Sequence, residues 1–390
     1  MTSQTGSGGE RVGKAYLDFY GALDIIPVRQ DLSDLPRHFQ RRAALYAQLG
    51  LLPNAVRGCR VLEVGPGTGD NAMHTASLLP EQYVLLDANP ASLAALRGKI
   101  GDGLLSASVK VVEADFLTYR TDERFDVVLC EGLLPAQNAP IPFLDKLLDM
   151  TAPGGVTVIT TVSFTSLFAE TCRRVLRLFF EMPDRSVAET VKELASFFGP
   201  DLRSLPGMSR LHEDWVLDQI IHPYTEVVAF PLRDAILAAA PKAEPAGTSP
   251  RFLTDWRWYK SVPDSGIAQT DFVLEQVDRF SLTMLDYRMS PIATDPALGQ
   301  AVEERCRALW LRHLDVLNGR DPAALEDFAT AVSEIGAMLP VGFEEARLSV
   351  TDYVAALRSW VAGHRAVEFG RFRPLFGRGQ QYLMLLRHMV

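Results

Sequence analysis

The run Val61-Leu62-Glu63-Val64-Gly65-Pro66-Gly67-Thr68-Gly69 constrains this chain more than any other stretch. An apolar, β-rich segment, Arg60–Val64, ends in three glycines at alternate positions, and helical spacing follows from Asp70 to Leu79. Glycine adopts left-handed backbone angles at little cost, so a strand can turn there into a helix within a few residues. The missing side chains also let a ligand approach the main chain closely. In open α/β sheets, ligands bind outside the carboxyl ends of the strands, where the strand order reverses. The spacing is Gly-x-Gly-x-Gly, not the Gly-x-Gly-x-x-Gly of dinucleotide binders.

Further strands are expected at Tyr83–Asp87, Val109–Glu113, Phe125–Cys130 and Gly155–Val162, the last introduced by the turn Pro153-Gly154-Gly155. Helices are expected from near Pro90 and from about Pro142 to Met150. Strands alternating with helices imply a parallel sheet covered on both faces. Ahead of this pattern, Arg11 to Leu49 carries helical spacing divided by Pro27 and Pro36. After Ser163 the alternation stops, and residues 164–345 read as mostly helical. The last part returns to α/β character, with an amphipathic helix over Val350–Gly363 and strands over Ala366–Phe372 and Gln380–Leu386.

Composition bounds the partners. The formal net charge of −9 argues against a protein that tracks a phosphate backbone, so no nucleic acid is expected. The local basic group Arg37, Arg41 and Arg42 reads as a solvated helix face or a site for one small anion. Cys59, Cys130, Cys172 and Cys306 show no metal-ligand spacing, so neither a zinc site nor a disulfide framework is signalled, and a reducing cytoplasm is expected. The first residues, MTSQTGSGGE, do not read as a signal peptide. No stretch is apolar and long enough to span a bilayer, so no membrane association is expected.

Three residues extend the glycine signal. Asp87 ends the second strand, where an acid can accept both hydrogens of a ribose diol. Asp115 follows the third strand, placed to take an adenine amino group, with Phe116 beside it to pack on the ring. Each charge-assisted hydrogen bond contributes ~1.5–3 kcal/mol. Together with Phe125–Glu131 and Ala152–Thr160, these residues resemble the class I S-adenosylmethionine-dependent methyltransferases, over about residues 58–165. The resemblance implies a seven-stranded Rossmann-like sheet, mostly parallel with an antiparallel last strand, and S-adenosylmethionine as cofactor with no metal. It implies that Gly65, Gly67 and Gly69 line the methionine and ribose end, that Glu63 orders the loop, and that Asp87 and Asp115 hold ribose and adenine. It also places Glu131, after the fourth strand, at a cofactor or substrate contact. The expected division is an N-terminal helical arm over 1–57, a catalytic domain over 58–165 and 346–390, and a mainly helical cap over 166–345.

The fourth strand is followed by Glu131-Gly132-Leu133-Leu134-Pro135, without the Asn/Asp-Pro-Pro-Tyr signature of DNA and protein-amide methyltransferases. A small-molecule acceptor in specialised metabolism is the expectation, modified by in-line methyl transfer in a capped pocket. Trp256 and Trp258 would share one face of an extended segment, with Tyr259 next to them, and aromatic faces attract a cation such as a sulfonium. The competing reading makes these rings core anchors of the cap. Tyr16, Tyr20, Tyr224, Asp286 and Tyr287 are further pocket candidates, and Glu131, His222 and Tyr259 are the candidates for a general base. Two alternatives stay open. One is a cyclase or lyase that uses the sulfonium as a leaving group, forming azetidine-2-carboxylate and methylthioadenosine. The other is an inactive cofactor-binding module. The oligomeric state is not legible in the sequence.

Overall fold

Most of the strand runs of the first half pair side by side because they are apolar on both faces, as strands buried between helix layers must be. The computed structural model describes residue 30 and residues 32–389, apart from 107, 182–183, 209, 223–228, 253, 320 and 365–366. In chain order come α1 (Leu35–Leu49), β1 (Arg60–Val64), α2 (Asp70–Ser77), β2 (Gln82–Asp87), α3 (Pro90–Gly101), β3 (Val109–Glu113), β4 (Phe125–Cys130), α4 (Pro140–Met150) and β5 (Thr151–Thr161). Then follow α5 (Phe168–Leu176), α6 (Val187–Arg203), α7 (His212–Val216), α8 (Leu232–Ala239), β6 (Ala243–Ser249), α9 (Gln269–Phe280), α10 (Pro296–Gly319), α11 (Pro322–Met338), α12 (Glu344–Val361) and β7 (Gln381–Arg387). Local chemistry sets several boundaries. Asp34 caps α1 by accepting from the Arg37 amide, and Gly50 closes it at φ +82°. Asn89 caps α3 ahead of Pro90, whose fixed φ suits the first helical position.

The seven strands form one sheet in the order β3-β2-β1-β4-β5-β7-β6. Strands β1 to β5 run parallel, and β7 lies antiparallel between β5 and β6. This is the Rossmann-like sheet with an antiparallel last strand that the sequence predicts. Three details differ. Pro153-Gly154-Gly155 lies inside β5 instead of preceding it, at a register shift against β4, and a side chain at Gly155 would meet the Asp126 carbonyl at 2.7 Å. Strand β6 comes from a stretch read as helical. Its sequence, Ala-Glu-Pro-Ala-Gly-Thr-Ser, has little β-branched character, and it pairs as an edge strand with a shift at Pro245/Gly247, the setting that tolerates proline. The strand expected over 366–372 is a short 3₁₀ turn at Gly370–Phe372, because Phe369 and Phe372 are spent on packing against Tyr353 and Trp360 of α12.

The chain divides into two compact units, one of Met1–Thr161, Pro223–Leu274 and Gln381–Val390, the other of Val162–His222 and Glu275–Gln380. The whole sheet lies in the first. Its core packs Val61, Tyr83, Leu85, Val127, Leu129 and Val158 from the strands against Tyr46 and Leu49 of α1. The second holds α10, α11 and α12 packed in sequence order. The C-terminal helix α12, read from the sequence as completing the sheet domain, thus packs with helices of the second unit. No helix among the described residues is long and apolar enough to cross a membrane.

A fully buried arginine organises the second unit. The Arg173 guanidinium donates twice to Asp201 at 3.1 Å and to the carbonyls of Leu375 and Arg373 at 2.8 Å, while stacked 3.8 Å from the Phe376 ring. Taking one partner from a buried ion pair strands the other, at a cost of ~3–5 kcal/mol. Arg173→Met is therefore expected to lower the urea midpoint by a matching amount. A midpoint shift equivalent to less than about 1 kcal/mol, the range of an exposed pair, would show that Asp201 and the carbonyls find other partners.

Candidate cofactor site at the carboxyl ends of the strands

Gly65, Gly67 and Gly69 adopt φ values of +70°, +56° and +76°, the left-handed region that side chains disfavour. Their surroundings differ. A Cβ at Gly65 would come within 2.9 Å of Leu133, and one at Gly69 would run into Leu96 of α3, whereas one at Gly67 would meet nothing within 4 Å among the described residues. Two glycines therefore permit close packing, and no described residue crowds Gly67. The loop is tied to β2 through Asp87, whose Oδ2 accepts from the Gly67 amide at 3.2 Å and whose Oδ1 accepts from the Asn89 amide at 2.8 Å. Burial raises the pKa of this carboxyl, against the pull of the Asn89, Gly67 and Ala88 amides.

At the end of β3, Asp115 is exposed and its Oδ1 accepts from the Leu117 amide at 2.7 Å, which shapes the following turn. Phe116 is buried, its ring 4.6 Å from that of Phe143 on α4, so it packs inward instead of lying open for an adenine. The turn is pinned by Lys146 of α4, which donates to the carbonyls of Phe116, Leu117 and Tyr119.

At the end of β4, Glu131 is half-buried and held from α1. Arg42 donates to it through both terminal nitrogens, at 2.8 and 2.5 Å, and Asn71 of α2 adds a contact at 3.3 Å. Burial opposes the charge on Arg42, but Glu131, with Tyr46 and Tyr382, outweighs it and pushes the arginine pKa up. Glu63 takes a hydrogen bond from the Tyr83 hydroxyl; burial, reinforced by the charge of Glu131, raises its pKa from 4.5 to about 7. Tyr46 and Thr75 share a 2.7 Å hydrogen bond, and burial with the Arg42 charge lowers the pKa of His74 to about 4. A layer of buried polar side chains thus lies between α1, α2 and the strand ends.

The structure therefore brings Glu63, Gly65, Gly67, Gly69, Asp87 and Glu131 together at the ends of β1, β2 and β4, with Asp115 and Phe116 next to β2. Trp256, Trp258 and Tyr259 are neither core anchors nor pocket walls: they are 92, 63 and 70% exposed, and the cation over the last two rings is Lys260. His222 belongs to the second unit, where its carbonyl accepts from Arg174. Burial lowers its pKa to about 4, with Asp218 opposing and Arg174 assisting. Tyr287 and Asp286 are in the second unit too, donating to the Ser204 carbonyl and gripping Arg288 respectively. Tyr16, Tyr20 and Tyr224 lie outside the described residues. Sequence reasoning missed Asn71 and Lys146, and left Arg42 as part of a solvated face or of a site for one small anion. The signal for Arg42 was there, since His38, Arg42 and Tyr46 fall at four-residue intervals on the stripe that ends in Leu49.

Residues 61–155 match the family model of a methyltransferase domain. No curated protein matches the sequence. Among solved structures, PKMT2 from Rickettsia typhi in complex with AdoHcy is 14% identical, with a TM-score of 0.40 over 62% of this chain and 50% of that one. The N-methyltransferase NodS from Bradyrhizobium japonicum WM9, in complex with S-adenosyl-L-homocysteine, is 20% identical, with a TM-score of 0.30 over 37% of this chain and 74% of that one. A DhpI–SAH complex is 22% identical, with a TM-score of 0.31 over 40% of this chain and 72% of that one. The chain spans half the length of the first of these. Residues 61–155 thus carry a methyltransferase domain on a Rossmann-like sheet, and the cofactor that goes with it is S-adenosylmethionine. The residues present fit that cofactor, because no described residue crowds Gly67 and Asp87 stands beside it. No group of three or more His, Cys, Asp or Glu among the described residues is placed to hold a metal ion.

The state of Glu63 yields a pH prediction. The folded protein holds this proton more tightly than the unfolded chain does, so its stabilising effect is complete below pH 4.5 and disappears as the pH rises to about 7. Glu63→Gln has no such slope. Relative to wild type it is expected to gain about 3 kcal/mol across that window, levelling off above it. Parallel pH profiles of denaturant midpoints for the two proteins would show instead that folding leaves the Glu63 carboxyl at its ordinary pKa.

Proposed function

We propose that this chain is an S-adenosylmethionine-dependent methyltransferase acting on a small molecule, in specialised metabolism. The observation that carries the reading is the junction of Asp87 with the Gly67 amide, at 3.2 Å, beside the one glycine of the loop that no described residue crowds. An acid anchored there can accept from a ribose diol while the bare backbone admits the rest of the cofactor. The small-molecule acceptor is supported by the net charge of −9 and by the missing Asn/Asp-Pro-Pro-Tyr signature after β4. Cofactor binding goes with the first unit, and acceptor recognition with residues outside 61–155. The four cysteines are free, in keeping with a cytoplasmic setting.

When bound, S-adenosylmethionine supplies a methyl group already activated by its sulfonium. The work left to the protein is placement and exclusion of water. Gly65 to Gly69 and Asp87 position the ribose end, and Asp115 keeps its Oδ2 for the adenine amino group. Alignment of this kind lowers a barrier by ~7–11 kcal/mol. A general base is needed only for an acceptor that arrives protonated. Glu131, tied to Arg42, is suited to holding a charge more than to moving a proton.

Gly67→Val is expected to abolish cofactor binding, and Asp87→Ala to weaken it by about 1.5–3 kcal/mol, both by calorimetry. Normal binding to Gly67→Val would put the cofactor elsewhere. For the reaction, the purified protein is incubated with S-adenosylmethionine, alone and with a small-metabolite extract, and read by mass spectrometry. S-adenosylhomocysteine formed only with the extract is the expected result. Methylthioadenosine formed without the extract would overturn the methyl-transfer reading.

A further inference from the structure

We propose that α1 is a wall of the cofactor site and that Arg42 is its positioning residue, clamping the Glu131 carboxylate as an ion in one orientation toward the cationic cofactor. The proposal rests on the cofactor reading above and adds a segment outside the matched residues 61–155 to the site.

The geometry supports it in three steps. First, the clamp is two-pronged. Glu131 Oε1 accepts from one terminal nitrogen of Arg42, and Oε2 accepts from the other and from Asn71. A carboxylate offers about four acceptor positions, and the described residues use three of them. Second, the pair is buried, with side-chain exposures of 7 and 9%. Removing the cation from such a pair leaves the other partner without its charge-assisted hydrogen bonds, so the guanidinium holds the carboxylate where it stands. The other ionisable groups facing the pair are Tyr46 on α1, His74 on α2, Glu63 on β1, Cys130 on β4 and Tyr382 on β7. Arg42 supplies the positive charge among them.

Third, α1 is held rigidly enough to aim the guanidinium. His38 Nε2 lies 3.0 Å from the Asp70 carbonyl oxygen, and Tyr46 is bonded to Thr75 on α2. At the other end, Arg251 donates to the Ala47 and Gln48 carbonyls. Gly247 of β6 sits so close to the Leu49 carbonyl that no side chain would fit. A helix fixed at both ends fixes the orientation of Glu131 as well.

The test is calorimetric titration of the full chain with S-adenosylhomocysteine and with S-adenosylmethionine, using wild type, Glu131→Gln, Arg42→Gln, Arg42→Lys and the double variant E131Q/R42Q, with circular dichroism as a check on folding. The proposal expects E131Q and R42Q each to weaken binding about tenfold, R42K to recover part of the loss, and the double variant to bind no worse than E131Q. Wild-type affinity in E131Q, or losses from R42Q and E131Q that multiply in the double variant, would overturn it. Should R42Q fail to fold, the comparison of E131Q, R42K and E131Q/R42K decides on the same criteria. Failure of the wild-type protein to bind either compound would instead remove the cofactor reading, so the two failures are distinct.

Discussion

Everything at the carboxyl edge of the sheet follows from the reversal at the end of β1. The chain leaves a fully buried strand and must enter α2 within the span of Gly65 to Gly69, and it does so through three left-handed residues. Each would cost an ordinary side chain about 1–2 kcal/mol in backbone energy alone. Two of the three also let neighbours approach, Leu133 from beyond β4 and Leu96 from α3. The turn therefore locks α2 and α3 against the sheet while leaving Gly67 bare, and Asp87 reaches back from β2 to hold that bare amide in place.

Buried arginines play parallel parts in the two units. Arg42 ties a helix ahead of the sheet to a carboxylate at a strand end, and Arg173 ties α5 to Asp201 and to the carbonyls of the 372–375 turn. Arginine suits both places because its planar fork satisfies several acceptors at once and keeps its charge under burial. In each case the partners come from segments far apart in the sequence. The ion pairs add specificity to the packing, since only one placement of the helix satisfies the guanidinium, while the net free energy comes mainly from apolar burial.

The parallel part of the sheet was legible because its signals are local. Each apolar run, glycine cluster and cap, such as Asn89 before Pro90, lies within a few residues of what it determines. The positions of Asp87 and Asp115 were legible for the same reason, being fixed by their place after a strand. What sequence reasoning missed depends on distant partners. Strand β6 exists because β7 offers it an edge, and its own residues carry little strand preference. Lys146 gains its role only when three carbonyls from another loop converge on it. Trp256, Trp258 and Tyr259 show the opposite error, for an aromatic run read as a pocket or a core stands in solvent.

The position of β7 between β5 and β6 has a consequence for biosynthesis. Strands β1 to β5 can assemble as they leave the ribosome, since each joins a neighbour already made. Strand β6 emerges next but has no edge to join until β7 has been translated, after the whole of the intervening helical stretch. Helix α1, made before any strand, packs on both β6 and β7. The earliest described helix of the first unit and its two latest strands therefore settle together, and the nascent chain carries an unfinished sheet edge through most of its synthesis.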